Sequence, residues 1–94
     1  MEITKQNETF NLKETTDVYE MNGTVSREML GGMNININVS KIGGDRLGDC
    51  FYNRYSDNAN VHFSMNCSEE NRIELATYAT TVIDSVLEYF EANK

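Results

Sequence analysis

Met33-Asn34-Ile35-Asn36-Ile37-Asn38-Val39-Ser40 alternates an apolar with a small polar side chain at every step. Successive strand residues point to opposite sides, so Met33, Ile35, Ile37 and Val39 share one face and the three asparagines and Ser40 the other. One dry face and one wet face mark a strand of an antiparallel sheet covered on one side only. Asn60-Val61-His62-Phe63-Ser64-Met65-Asn66-Cys67 repeats the pattern.

The cover for that dry face follows directly. Ser68 is a helix N-cap candidate, and Glu69 and Glu70 place negative charge at the positive end of a helix dipole. From there to Ala92 the chain contains neither Gly nor Pro. At helical spacing Leu75, Ala76, Ala79, Val82, Ile83, Val86, Leu87 and Phe90 gather on one side, and Glu70, Glu74, Thr77, Thr81, Asp84 and Glu88 on the other. Ile73 at one margin and Tyr78 and Tyr89 at the other widen the apolar arc to roughly two-thirds of the circumference, more than one sheet face needs. Either a curved sheet wraps the helix, or Tyr78, Val82 and Tyr89 contribute to a subunit interface.

Upstream the signals are weaker. Cys50-Phe51-Tyr52-Asn53-Arg54-Tyr55 is rich in strand formers, and Ser56-Asp57-Asn58-Ala59-Asn60 is turn material. Gly31-Gly32 reads as a tight hairpin loop. Asp17 to Met29 is one long strand with a bulge near Gly23, or two strands split at Asn22-Gly23. Phe10 and Leu12 suggest an edge strand. The expected fold is α+β, an antiparallel β-meander of about five strands with one long C-terminal α-helix packed on one face. The expected organisation is a single domain, with 1–7 frayed, 8–67 in the sheet and 68–92 in the helix.

The 94 residues carry 8 Lys plus Arg against 15 Asp plus Glu, a net charge of −7. Lys5, Lys13, Arg27, Lys41, Arg46, Arg54, Arg72 and Lys94 are scattered without a cluster. Nucleic-acid binders draw affinity from basic patches, so direct nucleic-acid binding and docking on anionic membrane are not expected. An acidic surface steers the protein toward basic partners. The opening residues resemble no targeting segment, and the chain reads as cytoplasmic. Four Asn-x-Ser/Thr sequons, at Asn7, Asn22, Asn38 and Asn66, carry little weight among twelve asparagines.

Catalytic motifs are sparse. The chain has no phosphate-binding glycine motif, no GxSxG and no H-E-x-x-H. His62 is the only histidine and falls on the polar side of its strand, so general acid–base work would need a carboxylate such as Asp49 or Asp57 nearby. Cys50 and Cys67 lie opposite one another if Asn58-Ala59 is a two-residue turn, and on opposite faces if the loop has five residues. Two reduced, buried thiols are the expected outcome. No metal or cofactor is expected.

Three surfaces remain as candidates for contact. The first is the loop Ile42-Gly43-Gly44-Asp45-Arg46-Leu47-Gly48, with Asp45, Arg46 and a tip-exposed Leu47 as binding residues; a flexible turn without a partner is the competing reading. The second is the amide-rich sheet face: Asn34, Asn36, Asn38, Ser40, Asn60, His62, Ser64 and Asn66, joined by either Tyr52/Arg54 or Phe51/Tyr55. The third is the acidic helix stripe with Glu74, Asp84 and Glu88. Solvated polarity is the simpler reading of the second and the third. The expected function is a non-enzymatic protein-binding module and homodimer, in a narrower form an inhibitor or immunity-type protein acting on a basic, nucleic-acid-handling partner. A small ligand-binding protein or enzyme with a pocket between sheet and helix, and an accessory subunit of a larger assembly, are the alternatives.

Overall fold

The computed structural model describes residues 1–6, 9–27, 31–56 and 59–92. Six strands, β1 (Glu2–Gln6), β2 (Thr9–Thr15), β3 (Tyr19–Arg27), β4 (Gly31–Lys41), β5 (Arg46–Ser56) and β6 (Val61–Asn66), form one sheet in sequence order, each pair antiparallel. A 3₁₀ turn (Glu69–Asn71) then leads into α1 (Arg72–Ala92), which packs across one face. The α+β meander expected from alternation and helical periodicity is the fold observed.

Residues directly opposite in an antiparallel register share a face, so the pairing assigns both sides of the sheet. The covered side runs through Leu12, Met21, Val25, Met33, Ile35, Ile37, Val39, Cys50 and Tyr52, all buried. Leu75, Ala79, Val82, Ile83, Val86 and Phe90 of α1 meet them. Two aromatic clasps hold the helix. Near its start Tyr78 packs on Tyr19 at 4.5 Å between ring centroids, donates from its hydroxyl to Glu14 Oε1 at 2.6 Å, and lies one turn beyond Glu74. Near its end Phe90 meets Phe10 edge-to-face at 4.8 Å, with the Arg27 guanidinium 4.9 Å from its ring centre.

Several local expectations change. The first residues are not frayed: Glu2–Gln6 pairs with β2, Ile3 lying opposite Leu12. Its stabilisation is non-local, which is why the short apolar content of this segment did not announce it. Gly31 and Gly32 lie inside β4, where Gly31 is opposite Ser56, and are no hairpin loop. Residues 28–30, including Met29, and Asp57 and Asn58 of the second turn lie outside the described residues. β3 is one continuous strand, and its register runs without a shift through Gly23. A close approach rather than a bulge explains that glycine, because a Cβ there would collide with the Asn36 carbonyl of β4. Ser68 makes no side-chain cap; the backbone N–H of Asn71 donates to its carbonyl at 3.1 Å, and a 3₁₀ turn takes the place of the expected N-cap.

Among the described residues the one register shift lies between β4 and β5. Val39 is opposite Gly48 and Ser40 opposite Arg46, so Leu47 is an extra residue on β5. The bulge turns Leu47 into the core at 3 % exposure. Gly48 adopts φ 149°, and a Cβ would stand 2.6–2.8 Å from Asn66 O, Cys67 Cβ and Leu75 Cδ2. The start of α1 therefore seats on bare backbone at this point.

Candidate binding surface

Because the helix takes one side of the sheet, the opposite side is available for contact. The register places Asn22, Thr24, Asn34, Asn36, Asn38, Ser40, Arg46, Asp49, Phe51, Asn53, His62, Ser64 and Asn66 there. The choice left open between two aromatic sets resolves to Phe51 and Tyr55: Cys50 lies opposite Met65, so Tyr52 belongs to the core. Phe51 is 46 % exposed and Tyr55 77 % exposed. Asn60 precedes β6 and is exposed at its turn.

Several side chains of this face hydrogen-bond one another. Asn38 Nδ2 donates to Asp49 Oδ1 at 2.8 Å, and Arg46 Nη2 donates to the other oxygen of the same carboxylate. Asn53 Nδ2 donates to Asn34 Oδ1 across the β4–β5 pair. A shallow depression of about 450 Å³ opens on the same side, lined by Asn22, Thr24, Asn36, Asn38, Arg46, Asp49 and Phe51, with the backbone at Gly23 and Ile37 beneath. Charge is nearly balanced within it, since Asp49 faces Arg46. Its chemistry is that of adaptable contact: planar amides and hydroxyls around a rigid aromatic edge.

The other candidates separate. Of the loop residues, Asp45 and Arg46 are exposed, whereas Leu47 is core, so an exposed tip residue is corrected by the bulge. Arg46 instead joins the outer sheet face. Of the helix residues, Glu74 faces the sheet rather than a partner: it accepts from the Tyr19 hydroxyl at 2.6 Å and pairs with Lys41 Nζ at 3.3 Å. The Tyr19 bond, then Lys41, hold its carboxyl below the usual range, and the same hydrogen bond, with burial, raises Tyr19. Asp84 and Glu88 are exposed on the helix back. Val82 is buried under the sheet and cannot meet a partner, and Tyr78 is committed to Glu14 and Tyr19; Tyr89 alone of the three supposed interface residues is exposed. The wide apolar arc is thus largely absorbed within the chain.

Among the described residues no charged side chain is buried, and the core includes the Cys50 thiol and the Tyr52 ring. His62 faces away from the helix, so it cannot line the sheet–helix pocket that the enzymatic alternative requires. Cys50 and Cys67 are free thiols, since Cys67 lies beyond the end of β6 and Cys50 is opposite Met65; Cys50 is buried as expected, whereas Cys67 is only half-buried. Burial pushes the Cys50 thiol up to about 11, with smaller contributions from Cys67 and Asp49. Burial, then its bond to Glu14, raises Tyr78. Among the described residues no three His, Cys, Asp or Glu side chains converge as metal ligands, and no helix is long and apolar enough to cross a membrane.

Comparison with protein-family models, curated proteins and solved structures finds no match to this chain.

Proposed function

We propose that this protein is a non-enzymatic binding module that engages another protein through the outer face of its sheet. One observation carries the reading: Phe51 and Tyr55 stand exposed on regular strands, amid oriented amides, on the one sheet face that the chain's own helix does not cover. Exposed aromatics surrounded by hydrogen-bonding side chains are the usual anchors of protein contact. The strands hold them in place before binding, which lowers the ordering cost.

The −7 charge adds a preference for a partner with a basic surface. The acid and the docking face are separate: Asp84 and Glu88 stand on the helix back, whereas the outer face is amide-rich and nearly neutral. The charge therefore steers encounter, and the aromatic and amide contacts set residence. The narrower form, an inhibitor or immunity-type protein on a nucleic-acid-handling partner, fits that charge and size.

Affinity capture from the source organism tests the reading. Immobilised wild-type protein and an Asp84→Asn/Glu88→Gln variant should retain the same partner, and a Phe51→Ala/Tyr55→Ala variant should lose it. Raising salt should slow association more than it speeds dissociation. Equal retention by the aromatic double variant would overturn the proposal.

A further inference from the structure

The helix crosses the sheet obliquely, from the β3–β5 end at Tyr19, Lys41 and Gly48 to the Phe10 and Arg27 end of β2 and β3. This path leaves one corner of the covered side open. Val61 and Phe63 of β6 share a face with Arg54 and the buried Tyr52, yet they are 50 % and 40 % exposed. Every other hydrophobic residue that the register assigns to that side of β2–β5 is buried or half-buried. Among the described residues β6 is also an edge, paired only with β5.

Natural edge strands are usually blunted by lysine, proline, a bulge or an inward charge. Val61-His62-Phe63-Ser64-Met65-Asn66 has no Lys, Arg, Asp, Glu or Pro, and its pairing with β5 is regular. The other edge is different, because β1 carries Glu2 and Lys5.

We infer that β6 is a self-association edge, on which a second copy of this chain adds its own β6 in antiparallel fashion about a two-fold axis at Phe63. Two observations select a second copy as the occupant. The first is charge: copies of a −7 chain repel one another, and β6 brings no Asp or Glu of its own to the seam. A basic partner drawn by the acidic residues finds none in β6. The second is self-complementarity. With Phe63 opposite its counterpart, Val61 lies opposite Met65 and His62 opposite Ser64, so the apolar residues of both copies fall on one face. Val61, Phe63 and Met65 of the two chains then form one strip between the two helices, and the two sheets become continuous. The outer faces join on the opposite side, which presents the proposed contact surface twice; that consequence alone rests on the functional reading above.

One six-residue strand pair is small beside standard interfaces, so the dimer is weak, with a dissociation constant on the order of 10–100 µM. Sedimentation equilibrium from about 1 µM to about 1 mM should show the mean mass rising from one chain toward two. Phe63→Lys places a blocking charge on an already exposed side chain, and it should hold the mass at one chain while far-UV circular dichroism and the thermal midpoint stay near wild type. Phe51→Ala/Tyr55→Ala should dimerise as wild type does, so loss of partner capture and loss of dimerisation report separately. Disulfide trapping fixes the register. In a Cys50→Ala/Cys67→Ser background, Phe63→Cys should form a linked dimer. Val61→Cys should not, because its counterparts would lie four residues apart along the strands, roughly 14 Å. A wild-type mass of one chain at every concentration, a Phe63→Lys protein that dimerises like wild type, or trapping at Val61→Cys in place of Phe63→Cys would overturn the inference.

Discussion

The two faces of this sheet are built from the same strands and differ in almost everything else. On the covered face, apolar residues from β2 to β5 and six from α1 close into one core without a buried polar side chain among the described residues. On the outer face, asparagines orient one another and two aromatic side chains remain exposed. The first face accounts for folding. The second is polar without being strongly charged, and Phe51 and Tyr55 there lie outside the core cluster.

If the division holds, substitutions should separate into two classes. Leu75→Ala, at a fully buried position near the start of α1, should cost about 2–5 kcal/mol in urea unfolding, enough to threaten a small domain. A loss below about 1 kcal/mol would mean that the helix start is not part of the core. Tyr78→Phe should cost about 1–2 kcal/mol by removing the bond to Glu14 while retaining the ring contact with Tyr19.

The pH dependence of stability also belongs to the covered face. Cys50 is raised from 9.0 to about 11, so the unfolded chain loses that proton first. Its contribution is complete below pH 9 and disappears as the pH rises toward 11, and the raised Tyr78 extends the loss on the alkaline side. Glu74 has the opposite sign. Its lowered carboxyl contributes fully above its ordinary value of 4.5, and the contribution is lost as pH falls through the folded value. Thermal midpoints should therefore form a plateau from about pH 5 to pH 9 and fall on both sides, with the alkaline fall reduced in Cys50→Ala. An unchanged midpoint up to pH 11 would contradict the burial of that thiol.

How far these features are legible in the sequence varies with the range of the interaction. Alternation at Met33–Ser40 and Val61–Asn66 and the periodicity of α1 are local patterns, and they identified sheet and helix. β1 has one half-buried apolar residue, Ile3, and becomes a strand only because β2 is beside it. Leu47 reads as a loop tip because Gly43, Gly44 and Gly48 mask the start of β5, which begins at Arg46, and the bulge there turns Leu47 inward. The amide face was visible from parity alone, whereas choosing Phe51 and Tyr55 over Tyr52 and Arg54 required the β5–β6 register, which turn length leaves open. Val82 and Tyr78 looked surplus to one sheet face because the oblique path of the helix and the Tyr19 clasp are tertiary facts.

The smallest effects should be on the outer face. Asn36→Ala should change stability by no more than about 0.5 kcal/mol, since its side chain is exposed and rests on no core contact.

Phe51→Ala/Tyr55→Ala joins both halves of the comparison in one variant, when its urea unfolding curve and its capture of the wild-type partner are measured on the same sample. The unfolding free energy should fall by no more than about 1 kcal/mol while partner capture is lost. A variant that unfolds at much lower urea, or one that is equally stable and still retains the partner, would contradict the assignment of folding to one face and contact to the other.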